Sequence, residues 1–216
     1  MKENINNIYS KVFFWMFFGF LITFITGYYV SLNENMLYNI CSAGMQILLY
    51  IAEIVTVIIL TSRINKMSEM TAKVLFCLYA FITGLTFSVL FYAYEIGSIM
   101  YVFGISSILF LIFGFIGKTT NKDLSKLGSI VLMIILGLLI VSIINIFIGS
   151  TLVELLLSCI FIIAFLIITA VDMQKVKTLS QVFNEDKASI LGALELYLDF
   201  INIFIELLRL FGKNKD

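Results

Sequence analysis

Apolar residues fill seven runs of this chain, each close to the ~20 residues an α-helix needs to cross the hydrocarbon core of a bilayer. The runs are Val12–Val30, Ala43–Ser62, Ala72–Tyr94, Ile99–Gly117, Leu127–Gly149, Leu152–Val171 and Ser189–Phe211. Mostly short connections join them, and no low-complexity stretch or soluble domain is left over. The pattern predicts an all-α membrane protein of seven transmembrane helices, one domain over residues 1–216.

The seventh run differs from the others. Glu195, Asp199, Asn202, Glu206 and Arg209 are spaced by four, three, four and three residues. At about 100° per residue they share a stripe roughly 80° wide, and Leu, Ile, Phe and Tyr occupy the other faces. A carboxylate facing hydrocarbon at mid-helix costs at least ~2.5–3.5 kcal/mol. The stripe must therefore face protein, water or an ion. The C-terminal helix is expected at the centre, with six others wrapped around it.

Lysine and arginine set the orientation. The N-terminus carries Lys2 and Lys11, and alternate connections carry Arg63, Lys66 and Lys73, then Lys118, Lys122 and Lys126, then Lys175, Lys177 and Lys187. The intervening connections, Ser31–Ser42, Glu95–Ser98 and Ser150–Thr151, carry none. The N-terminus is predicted to be cytoplasmic. A full seventh crossing places Arg209, Lys213 and Lys215 on the outer side, whereas a re-entrant last segment would keep them inside. Late charges weigh less than early ones, and the full crossing is the expectation adopted.

Composition agrees. The 216 residues are 61% hydrophobic and 13% charged, against roughly 45–50% and 25% in soluble domains. The formal net charge is zero, so nucleic acid is not an expected partner. The chain has no histidine, which removes His-based zinc sites and Ser–His dyads and leaves titration near neutral pH to carboxylates. An enzyme is not expected, and no cofactor is implied. The chain also lacks proline, so any kink must come from glycine or an inserted side chain. Cys41, Cys77 and Cys159 are scattered and read as buried small hydrophobes. The first run lacks an Ala-x-Ala cleavage signal and reads as a retained helix. Ala80, Gly84 and Ser88 recur every four residues, a pattern that lets membrane helices approach closely.

The candidate chemistry centres on two aspartates. Asp172 ends the sixth run and Asp199 lies midway along the seventh. Asn184-Glu185-Asp186-Lys187, halfway between them, is the most turn-like stretch. With one helix running to about Val182 and the next starting near Ser189, the two acids arrive at about the same height on the cytoplasmic side. In contact they would share one proton. When both are ionised they would attract a divalent cation, and calcium takes several oxygen ligands at about 2.3–2.6 Å. The alternative is that Asp172 only faces cytoplasmic water. Glu53, inside the second run, is a functional candidate by its position in the membrane. Arg63 follows ~15 Å along the same helix, either paired near the level of Asp172 or snorkelling to the interface. Glu195 and Glu206, about 16 Å apart, would line a cation path. Arg209 is spaced to neutralise Glu206, and Asn202 suits a buried polar contact. Glu34, Glu95 and Glu154, at outer segment ends, read as solvated surface.

The run Gly192-Ala193-Leu194-Glu195-Leu196-Tyr197-Leu198-Asp199-Phe200-Ile201-Asn202-Ile203-Phe204, followed by Leu207-Leu208-Arg209, resembles the signature C-terminal helix of the Bax inhibitor family. Val171-Asp172-Met173-Gln174-Lys175-Val176 resembles the family's ending of the sixth helix, with Val171 and Met173 as departures. The stretch from Ala52-Glu53 to Ser62-Arg63-Ile64-Asn65-Lys66-Met67-Ser68 is similar to its second helix. The resemblance implies seven helices with the last one central. It also implies, for a bacterial member, a pH-sensitive calcium leak in the plasma membrane. On that match Asp172 and Asp199 fall on the family's proton-sharing pair, Arg63 on a latch beside it, and Glu53 on the acid of the second helix.

The expected function is a passive calcium leak gated by the aspartate pair. Calcium is the transported ion, and protons and the lipid bilayer are the other partners; the sequence specifies no protein partner. A proton/calcium exchanger and a non-conducting membrane regulator of cell-death type pathways are the alternatives.

Overall fold

The computed structural model describes the backbone of residues 2–215 and the side chains of residues 7–215; the Lys2 side chain lies outside them. Among these residues there are eight helices: α1 (Lys2–Ser31), α2 (Glu34–Cys41), α3 (Ala43–Arg63), α4 (Glu69–Ala93), α5 (Ile96–Thr119), α6 (Ser125–Ile148), α7 (Thr151–Val182) and α8 (Glu185–Phe211). Seven are long and apolar enough to span a bilayer. Their outward faces carry side chains such as Ile146 and Phe147, 77% and 87% exposed. Such continuous apolar surface is stable only against lipid, and the chain is an all-α integral membrane protein.

The helix ends follow local chemistry. Ser68 caps α4 by accepting the Thr71 N–H at 3.1 Å. Gly149 ends α6 in the left-handed region, φ 69°, which glycine adopts without strain. Three expectations need correction. The Ser31–Ser42 connection contains a helix, α2, whose start is fixed by the Asn33 side chain accepting the Met36 N–H at 3.1 Å and whose Leu37 is buried. The α8 helix begins at Glu185 rather than near Ser189, because the Asn184 side chain accepts the Lys187 N–H at 3.0 Å. Glu185 and Asp186 then occupy the first turn, where negative charge suits the helix dipole. Cys41 and Cys159 are exposed rather than buried, and Cys77 is half-buried.

Packing divides the chain into two compact units. The first holds residues 1–96, 176–197 and 214–216; the second holds 97–175 and 198–213. In the first, α1 and α4 meet at backbone distance. A Cβ on Gly84 would stand 3.0 Å from the Thr23 carbonyl, and one on Gly27 would stand 2.9 Å from the Gly84 carbonyl. The small residues Ala80, Gly84 and Ser88 are buried packing positions. At one end of α4, Lys73 pairs with Asp186 at 2.6 Å and Lys11 with the same carboxylate at 3.5 Å. At the other end, Tyr94 forms a β-bridge with Asn214, and the Lys215 N–H donates to the Ala93 carbonyl at 2.9 Å. The start of α8 and the segment after it therefore lie at opposite ends of α4.

In the second unit, α5 and α7 are as close. A Cβ on Gly117 would run into the Ala170 carbonyl, and one on Gly114 would stand 2.9 Å from the Met173 methyl. From α6, a Cβ on Gly128 would stand 2.8 Å from a Val171 methyl.

Candidate functional site

The α8 helix is the most buried of the seven, with 78% of its spanning window inside the protein against 11–44% for the rest. Its polar stripe grades along its length. Glu195 is half-buried, Asp199 is buried at 3% exposure, Asn202 and Glu206 are half-buried, and Arg209 is exposed. The Asn202 amide donates to the Leu198 carbonyl one turn back at 2.8 Å. Arg209 donates to both oxygens of Glu206, at 3.1 and 3.3 Å, as their spacing predicts. It also approaches Glu154 to 3.9 Å, and Glu154 is exposed, as read from its place at a segment end.

In the second unit, the segment carrying Asp172 is fixed by its neighbours. Gly114 and Gly117 of α5 and Gly128 of α6 pack on Met173, Ala170 and Val171 respectively. Asp172, between these contacts, is half-buried. Gln174 continues the clamp. Its amide nitrogen donates to the Lys122 carbonyl and its oxygen accepts the Leu124 N–H, both at 2.9 Å. The α5–α6 connection is thereby tied to α7. Asp123, in that connection, is held below the usual carboxylate range by hydrogen bonds from Ser125. Asp199 belongs to the same unit, and the adjacent Phe200 packs against Phe103 and Phe110 of α5 with ring centroids 5.1 and 5.7 Å apart. Asp172 lies ten residues before the end of α7, and Asp199 fourteen after the start of α8. The hairpin arms differ from the equal lengths read in the sequence, because α8 starts at Glu185 rather than near Ser189. Among the described residues no three acidic or cysteine side chains converge as a metal cage. An ion held by either aspartate would draw further oxygens from carbonyls and water.

In the first unit, Glu53 of α3 is half-buried and accepts the Thr86 hydroxyl of α4 at 2.9 Å. Arg63 sits in the last turn of α3. Its side chain is exposed, and among the described residues it enters no ion pair.

Sequence reasoning did not single out the buried node at Tyr197. This residue is fully buried among Phe20, Phe76 and Tyr79, with centroids 5.0–6.1 Å away. Its hydroxyl lies 2.5 Å from that of Thr23, which also meets the Gly19 and Ala80 carbonyls at 3.0 and 2.9 Å. Carbonyls only accept, so the single Thr23 proton goes to one of them and Tyr197 is the donor to Thr23. A tyrosine inside a polar-spaced apolar helix was the available signal.

A family model described as inhibitor of apoptosis-promoting Bax1 matches residues 5–216. The chain is 33% identical over 221 residues to the inner membrane protein YbhL of Escherichia coli K12, covering 99% of this chain and 94% of that one. It is 34% identical over 217 residues to an uncharacterized protein of Borreliella burgdorferi, covering 98% and 94%. It is 34% identical over 218 residues to one of Deinococcus radiodurans, covering 99% and 93%. Signature helix, family match and relatives agree, and the chain belongs to the Bax inhibitor family of integral membrane proteins.

Proposed function

We propose that this protein is a passive, pH-sensitive calcium leak of a bacterial plasma membrane, with a cytoplasmic N-terminus. The observation that carries the reading is the burial of Asp199 on the most buried spanning helix, on one face with Glu195, Asn202 and Glu206. An acid kept there at the cost set by hydrocarbon is retained for an ion or a proton. In this reading Asp172 and Asp199 form the gate. Protonation removes charge that otherwise repels between them and attracts calcium. Glu195 and Glu206 extend the acidic face on either side of Asp199, and Glu53 adds a membrane-embedded acid on α3. Arg63 takes the role of latch by its match to the family pattern. The protein performs no covalent chemistry and needs no cofactor; calcium is cargo.

The test is flux in proteoliposomes with calcium and proton reporters together. A leak moves calcium down its gradient without stoichiometric proton counterflow. Fixed proton counterflow would make the protein an exchanger, and vesicles that stay calcium-tight at every pH would make it a non-conducting regulator.

A further inference from the structure

The outer end of the second unit contains a cavity of about 640 Å³ between α6, α7 and α8, within the range of small-molecule sites. Its lining is sorted by depth. Glu154 lies in the first turn of α7 and Arg209 in the last turn of α8, so with Glu206 they mark the membrane interface. Leu157, Phe161 and Phe165 line the same cavity and reach 3 to 11 residues, about 5–16 Å, further along α7 from Glu154. The Phe161 and Phe165 rings stack at 6.2 Å and 21°, making a flat apolar wall. The rim is preformed: Asn145 donates to the Ser150 carbonyl at 3.1 Å and accepts the Ser150 N–H at 3.3 Å across the Gly149 turn.

The geometry points to a binding site for one zwitterionic aminophospholipid of the bilayer. Charged groups at the interface, and below them a largely apolar lining broken by Ser142 and Asn202, match a phospholipid in both order and depth. Charge selects the head group. Two carboxylates and one guanidinium give the polar end a net charge of −1. Glu206 is engaged by Arg209 through both oxygens. Glu154 is only loosely paired at 3.9 Å and about half-exposed, so it can accept from a primary ammonium. The Arg209 guanidinium retains N–H donors for the phosphate. An anionic head group without an ammonium meets net repulsion there, and a trimethylated one cannot donate to Glu154.

Native mass spectrometry of the purified, delipidated protein tests this, with phosphatidylethanolamine, phosphatidylcholine and phosphatidylglycerol offered in equal amounts. The expected result is one retained phosphatidylethanolamine per chain, preferred over phosphatidylglycerol at least about tenfold, as one charge-assisted hydrogen bond implies. Glu154→Gln lowers that retention severalfold. Leu139→Trp, at a half-exposed position of the lining, removes it by filling the space. Equal retention of the three lipids, a preference for phosphatidylglycerol, or phosphatidylethanolamine retained in Leu139→Trp would overturn the assignment. The lipid comparison uses the unaltered chain, so it stands even where a variant misfolds, and its outcome is independent of calcium flux.

Discussion

Gly117 touches the backbone carbonyl of Ala170, two residues before Asp172, with no room for a Cβ between them. The contact makes α5 a rigid backing for the segment that carries the acid. Gly117→Ala forces two backbones apart and is expected to cost about 1–3 kcal/mol or more. Gly114→Ala meets only the flexible Met173 methyl and is expected to cost less. Thermal unfolding of both variants in detergent checks the order; equal effects would mean that the α5–α7 contact does not position Asp172.

The donor assignment at Tyr197 gives an asymmetric prediction. Tyr197→Phe removes a donor and leaves Thr23 bonded to a carbonyl, a loss of about 1 kcal/mol. Thr23→Val leaves the buried Tyr197 hydroxyl without that acceptor, at about 1–3 kcal/mol. Chemical denaturation of the two variants should rank Thr23→Val as the more damaging.

Gln174 is expected to hold the α5–α6 connection. In Gln174→Leu both hydrogen bonds, to Lys122 and from Leu124, are lost at a cost of about 1–2 kcal/mol. Hydrogen exchange at the Leu124 amide should speed up while exchange in mid-α7 stays unchanged.

Topology follows from the two ends of α4. Lys187→Cys and Lys215→Cys, each placed in a chain with Cys41, Cys77 and Cys159 replaced by serine, should react with an impermeant thiol reagent from opposite sides. Labelling of both from one side would contradict the full seventh crossing.

The spans and the α8 stripe were legible in the sequence because a 3.6-residue period and a 20-residue length are local properties. Its burial followed from the cost of placing Asp199 against lipid. The side of the C-terminus was not legible, since Arg209, Lys213 and Lys215 argue one way and helix length the other. The Tyr94–Asn214 bridge, a long-range pairing with no periodic trace, places the C-terminal segment at the end of α4 away from the start of α8. The early start of α8 at Glu185 was missed because Asn184-Glu185-Asp186 was read as a turn, although an asparagine followed by two acids is also a helix start. The glycines around Ala170–Met173 carry meaning only once α5 and α6 are seen beside α7.

Calcium efflux from proteoliposomes across a pH series, for the unaltered chain, Asp172→Asn and Asp199→Asn, tests the gate most directly. The account predicts a pH-dependent leak in the unaltered chain and a profile flattened in both variants, because an amide cannot exchange the proton that sets the gate. A leak in both variants with the pH profile of the unaltered chain would contradict it.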